Sequence, residues 1–111
     1  MAAKFDLKRG GNEQYMFNLK AANGEVILTS ELYNEKPGAV HGIESVKVHA
    51  VEDGRFERKR AKNGEPFFVL KAANGEVIGK SEMYSSSWAM ARGIRSVKRN
   101  APTAHVDDQS S

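Results

Sequence analysis

One nine-residue segment, Leu-Lys-Ala-Ala-Asn-Gly-Glu-Val-Ile, occurs twice without a change, at 19–27 and at 70–78. Asn-Gly between two apolar runs is a strong hairpin signal. Gly24 and Gly75 can take positive φ without a Cβ clash, and asparagine tolerates that region better than most residues. Two geometries fit. Asn23-Gly24 can be the central pair of a type I′ turn, or Ala22-Asn23 can form a type I turn with Gly24 in a G1 bulge. Both make the flanking strands antiparallel neighbours. Phe17 and Leu19 alternate with Asn18 and Lys20, and Val26 and Leu28 with Glu25 and Thr29. That period of two marks one buried and one wetter face. Ile27 breaks the period, which implies partial cover on the second face.

The identity extends well beyond the hairpin. A shift of 51 aligns Phe5 with Phe56 and holds without a gap to Ala50 and Ala101, with about half of the paired residues identical. The chain is therefore a tandem duplication, with repeat one at 5–50 and repeat two at 56–101. Two copies are too few for a solenoid, so a pair packed about a pseudo-twofold axis is expected.

Within each copy the pattern predicts a short strand (Lys4–Arg9, Arg55–Arg60), a polar turn, and the hairpin. The hairpin strands are Tyr15–Lys20 with Glu25–Ser30, and Phe67–Lys71 with Glu76–Lys80. A helix follows, capped by Asn34 in the first copy and by Ser85 or Ser86 in the second. Pro37 falls in the first turn, where its missing N–H costs little. Ala39, Val40, Ile43, Val46 and Ala50, and then Met90, Ile94, Val97 and Ala101, recur at helical spacing and should pack on the strands. Gly42 and Gly93 sit mid-helix, where glycine costs about 1 kcal/mol against alanine, and suggest close approach of helix and sheet backbones. The predicted fold class is α+β, a three-stranded antiparallel meander plus one helix, repeated. Residues 1–101 form one compact domain. Phe17, Leu19, Val26, Ile43 and Val46 with Phe68, Leu70, Val77, Ile94 and Val97 form its core. Residues 102–111 read as a frayed, flexible tail.

The 111 residues contain no cysteine, which excludes disulfides, thiolate metal sites and a cysteine nucleophile. No apolar run approaches a membrane span, and Met1–Phe5 has no signal-peptide character, so a soluble cytoplasmic protein is the expectation. The formal charge of +3 is unevenly spread. Residues 1–54 carry a net −2 and residues 55–111 a net +5, so the halves face different surroundings or each other.

Catalytic signals are weak. His41, His49 and His105 have no metal-ligand spacing, so no metal and no cofactor are implied. Ser-Glu-x-Tyr recurs as Glu31 with Tyr33 and Glu82 with Tyr84. It could supply an acid and a phenol to a pocket where the repeats meet, or simply brace the junction of strand and helix. The better-defined group lies on the second helix. At about 100° per residue, Trp88, Arg92, Arg95 and Arg99 share an arc opposite Met90, Ile94 and Val97, with Lys98 on its flank. Arginine can grip phosphate with two hydrogen bonds and tryptophan can stack on a base. This arc is either a polyanion surface, for nucleic acid or an acidic protein, or a solvated face with Arg92 over the Trp88 ring. The first copy offers Pro37, His41, Glu44 and Val48 at the same places, so any such site is one-sided. Arg55 and Arg58–Arg60 form a second basic run whose side chains alternate between strand faces.

Two copies of the repeated segment, each followed by Ser-Glu-x-Tyr and then Gly-Ile-x-Ser-Val-Lys, resemble the YegP-like family of small bacterial proteins over Phe5–Ala101. The resemblance implies an α+β fold of three-strand-plus-helix units, with the doubled form equivalent to a fused pair and hence a monomer. That family's function is unknown, so the resemblance transfers no catalytic or binding residues. The residues imply a non-enzymatic binding or interaction module. The alternatives are weak nucleic-acid binding through the arginine arc, or an enzyme with a pocket between the repeats.

Overall fold

The computed structural model describes residues 2–110. In chain order the elements are β1 (Lys4–Arg9), β2 (Tyr15–Lys20), β3 (Val26–Thr29), α1 (Lys36–His49), β4 (Phe56–Arg60), β5 (Pro66–Lys71), β6 (Val77–Lys80), α2 (Ser87–Asn100) and β7 (His105–Asp108). All seven strands form one mixed sheet in the order β4-β5-β6-β3-β2-β1-β7, so the class is α+β. β1 pairs antiparallel with β2, and β2 with β3. β4, β5 and β6 repeat those pairings with each register 51 residues on. The halves join where β3 meets β6 antiparallel through Thr29 and Lys80.

The hairpins resolve the two turn geometries. Gly24 and Gly75 both have φ +87°, whereas Asn23 and Asn74 keep negative φ. This is the type I turn with a bulge glycine. The register slips between Leu19 and Lys20, and again between Leu70 and Lys71. Asn23 and Asn74 stay in place because each side-chain oxygen accepts the N–H of the glutamate two residues on, at 3.0 Å. Ser30 Oγ accepts the Phe17 N–H at 2.9 Å and donates to the Glu31 carbonyl, and Ser81 does the same for Phe68 and Glu82.

Helix α1 starts one residue later than its sequence suggests, and α2 uses the later of its two expected caps. Ser86, not Ser85, caps α2 by accepting the Ala89 N–H at 3.0 Å. Asn34 does not cap α1. Its side chain accepts from Gln14 instead, and the N-cap is Glu35 with no side-chain hydrogen bond. The buried set matches the expected core at Phe17, Leu19, Ile43, Val46, Phe68, Leu70, Ile94 and Val97. Val26 and Val77 are only half-buried, and Ile27, Leu28 and Ile78 take the interior. The helix of the opposite repeat covers this part of each hairpin: Ile27 shares a wall with Ala89 and Gly93 of α2. Val40 lies outside the α1 stripe and is exposed. At Gly42 and Gly93 the close approach is to a tyrosine, not to sheet backbone. A Cβ there would stand 2.4 Å from Tyr33 Oη and 2.1 Å from Tyr84 Oη.

The expectation of a flexible tail is corrected over 102–110, while Ser111 lies outside the described residues. Ala101–Thr103 form a 3-10 turn and β7 pairs parallel with β1. Val106 lies opposite Phe5, and the Gln109 N–H donates to the Leu7 carbonyl at 2.8 Å. The signal was short, since His-Val-Asp-Asp has one apolar residue, and charge supplements the backbone pairing that holds it. Lys4 bridges Asp6 at 3.4 Å and Asp107 at 3.2 Å, while Lys36 holds Asp108 at 2.5 Å. Asp6 itself is 1% exposed. Burial pushes its carboxyl up, but Lys20 and Lys4 together outweigh that and hold it below the usual range. Asp107 is lowered by Gln109 and Lys4, and Asp108 by Lys36 and Ser110.

These depressed values give a signed expectation. Carboxyls that ionise more readily when folded stabilise fully above the ordinary aspartate value of 3.8, and the contribution is lost as pH falls through their folded values. Acidification below pH 3.8 should therefore release β7 from β1 before the rest of the sheet unfolds. Amide exchange would show Asp107 and Gln109 losing protection while Phe17 and Phe68 keep it. Simultaneous loss at all four would refute a separate latch.

Candidate functional site on the outward face of α2

Packing of Met90, Gly93, Ile94 and Val97 against the sheet turns the opposite side of α2 to solvent. Trp88 is 69% exposed there, and the Arg92 guanidinium lies 5.1 Å from the centre of its ring, a cation–π contact. Arg95 and Arg99 are exposed beside them. Among the described residues no carboxylate forms an ion pair with Arg92, Arg95 or Arg99, whereas Lys98 turns away to pair with Asp53. The sequence-predicted group is thus brought together except for Lys98. Arg92, Arg95, Arg99 and Ser96 line a polar cavity of about 330 Å³.

Arg92 and Ser96 also border a second cavity, of about 410 Å³, between α2 and the β2–β3 hairpin. Asn23, Glu25 and Tyr84 form other parts of its wall. Tyr84 is half-buried and stacked on Phe68, with ring centres 6.2 Å apart. Burial first, then Glu82 and Glu25, push its phenol above the usual value. It therefore remains a neutral hydrogen-bond donor at physiological pH. Nothing in residue spacing signals Asn23 or Glu25, because they come from the other repeat. Ser96 was legible on the helix but carried no charge to draw notice.

The same junction in the other half is built differently. His49 Nε2 accepts the Ala73 N–H at 3.2 Å, and Nδ1 donates to the Ser45 carbonyl at 2.8 Å, so α1 is tied to the β5–β6 turn. Asn100 occupies the matching place in α2 but folds back on Ser96, at 2.9 Å from its carbonyl oxygen. The turn at Asn23 is left without that tie. Val48, His41 and Glu44 stand where α2 has Arg99, Arg92 and Arg95, so the basic face belongs to one helix only.

The other candidate groups do not assemble. Of Glu31, Tyr33, Glu82 and Tyr84, only Tyr84 lines the 410 Å³ cavity. Tyr33 stacks on Phe17, and burial, Glu31 and Glu76 raise its phenol. No group of three or more acidic or histidine side chains is placed to hold a metal among the described residues. Among them, too, no helix is long and apolar enough to cross a membrane.

Comparison with known proteins gives a consistent result. A family described as a domain of unknown function (DUF1508) matches twice, at residues 11–57 and 61–108. A UPF0339 protein of Pseudomonas aeruginosa is 54% identical, over 99% of this chain and 100% of its own length. The UPF0339 protein YegP of Escherichia coli is 46% identical, also over 99% and 100%. The solution NMR structure of a UPF0339 protein from Shewanella oneidensis superimposes with a TM-score of 0.93 at 48% identity, covering 99% of this chain and 93% of that one. The NMR structure of E. coli YegP, described as a protein of unknown function, gives 0.94 at 45% identity, covering 100% and 96%.

Proposed function

This chain belongs to the YegP-like UPF0339 family, bacterial proteins with two DUF1508 domains and no characterised function, and on that footing we propose that it is a non-enzymatic binding module for single-stranded nucleic acid. The observation that carries this is the set of three guanidinium groups without carboxylate partners among the described residues, gathered with Ser96 around one cavity beside an exposed indole. Phosphate oxygens would be held by Arg92, Arg95 and Arg99, and a base would stack on Trp88, displacing or sandwiching the Arg92 plane. Sequence preference should be weak, because stacking and phosphate contacts carry little base information.

We further infer that the module is a monomer with internal pseudo-twofold symmetry. Thr29 and Lys80 are matched positions of the two repeats, and they pair with each other across the central strands. Self-pairing of matched residues is what a twofold axis requires. A cytoplasmic location suits such a role.

Trp88 is the single tryptophan, so the test has a built-in probe. Adding single-stranded DNA at low salt should quench its fluorescence. Affinity should fall with salt by a log–log slope of about −2, from three phosphate contacts at about 0.7 each. The Arg92→Ala, Arg99→Ala double variant should bind at least about tenfold more weakly, a loss of about 1.4 kcal/mol. A flat low-salt titration would overturn the proposal.

A further inference from the structure

The two edges of the sheet are not alike, and the difference exposes a vacant seat. β7 covers the free side of β1, while among the described residues β4 has β5 as its only strand neighbour. Matched positions show the consequence. Asp6 is buried and Glu57 is not; Leu7 is buried and Arg58 is exposed. Beside the uncovered edge lies a cavity of about 260 Å³, lined by Arg58, Lys59, Arg60, Pro66, Ser87 and Met90. Shifted by 51, its walls become Leu7, Lys8, Arg9, Tyr15, Lys36 and Ala39. That is the ground on which β7 and the residues after it rest: Lys36 holds Asp108 and the Leu7 carbonyl accepts from Gln109.

The geometry points to the β4 edge as a docking site for an acidic extended segment of another protein, added as a strand parallel to β4. Three observations fix the occupant's chemistry. First, the outward groups of β1 are those of Leu7 and the residues two away, so by the strand period the backbone of Phe56, Arg58 and Arg60 faces outward on β4. Unpaired edges of this kind recruit strands. Second, the seat keeps its cation while moving it. Lys36 of α1 becomes Ser87 in α2, but Leu7 becomes Arg58. Third, Arg58 and Arg60 form no ion pair among the described residues, and Arg60 gives only one N–H, to the Gly64 carbonyl at 2.8 Å, so their charge is not neutralised. The chain's own His-Val-Asp-Asp-Gln run demonstrates the kind of segment that such a seat takes. Ser87 and Met90 lie on the side of α2 roughly opposite Arg92 and Ser96 at about 100° per residue, so this site is separate from the proposed nucleic-acid face.

The test uses the full chain and a fluorescein-labelled peptide of residues 104–110, Ala-His-Val-Asp-Asp-Gln-Ser. Anisotropy should show saturable binding that weakens with salt, and NMR should show shifts along Phe56–Arg60. Arg58→Glu with Arg60→Glu should weaken binding at least about tenfold, while Arg92→Ala with Arg99→Ala leaves it unchanged. A peptide carrying Gln109→Pro lacks the N–H that the edge carbonyl needs and should also lose about tenfold, on unaltered protein. No binding would overturn the proposal. So would equal binding of the proline peptide, which means charge without strand pairing. Shifts confined to Lys4–Leu7 mean exchange with β7, and concentration-dependent self-association through β4 means that the occupant is a second copy. Either would also overturn it. Loss of DNA binding with peptide binding intact would remove the nucleic-acid function and leave this site standing.

Discussion

Replacing Gly93 with alanine should destabilise the protein by about 2–3 kcal/mol, although alanine is the better helix former by about 1 kcal/mol. The added Cβ would stand 2.1 Å from Tyr84 Oη and 2.6 Å from Cζ. The tyrosine has little room to retreat, because its ring is stacked on Phe68 with an interplanar angle of 12°, and Phe68 is fully buried. Either α2 lifts off the sheet or the ring is driven toward the 410 Å³ cavity that it lines. For a domain of this size the loss is about 10 °C in Tm. Gly42→Ala should behave alike, since its Cβ would meet Tyr33 Oη at 2.4 Å and Phe17 Cε2 at 3.0 Å. A double-mutant cycle isolates the cause. Combined with Tyr84→Ala, which removes the obstacle, Gly93→Ala should become neutral or favourable, giving a coupling of at least about 2 kcal/mol. If Gly93→Ala alone leaves Tm unchanged or raises it, the glycine is not there to admit the tyrosine.

This contact also marks how far sequence could go. Periodicity located both mid-helix glycines and both tyrosines, and the duplication made clear that each pair mattered. It did not connect them, because which side chain fills the space above a helical glycine is decided by tertiary packing. Strand alternation had the same limit. Phe17 and Leu19 obeyed it and Ile27 broke it, as cover on the second face requires, but the helix that supplies the cover lies about 60 residues away, which no local pattern identifies. β7 was missed for another reason. Its four residues have a single apolar member, and it is held by Lys4, Lys36 and a parallel edge. Parallel pairing across the whole chain leaves no short-range trace.

The arginine arc was the most legible part of the candidate site, since a helical wheel places charges well whenever the opposite face is apolar. Even Arg92 over Trp88 followed from i, i+4 spacing. What the wheel could not supply was pairing. Lys98 and Arg99 are neighbours in sequence, yet Asp53 takes Lys98, and Arg99 has no ion pair among the described residues. Likewise, His49 and Asn100 are matched positions that do different work, one reaching Ala73 and one folding onto its own helix. The repeats share a scaffold. The side chains at its junctions have diverged, and the candidate sites lie at such places.

Leu28→Ala should cost about 3–4 kcal/mol, at the upper end for a buried leucine, because one side chain serves both halves at the centre of the sheet. Leu28 and Gly79 are matched positions beside the Thr29–Lys80 pair. A Cβ on Gly79 would stand 2.6 Å from Leu28 Cγ and Cδ2. A strictly symmetric duplication would place two leucines or two glycines here, giving either a collision or a void. The chain instead pairs a large residue with the smallest. Gly79→Leu should therefore destabilise by overpacking, by about 2–3 kcal/mol. Exchanging the two, Leu28→Gly with Gly79→Leu, restores the volume from the other side and should recover more than half of the summed losses of Leu28→Gly alone and Gly79→Leu alone. Urea denaturation of the four proteins reads this directly, with unchanged m-values confirming two-state unfolding. Additive losses would mean that the two positions do not share one space. Recovery would identify the leucine–glycine pair as the device by which two copies of one unit close on each other without a gap.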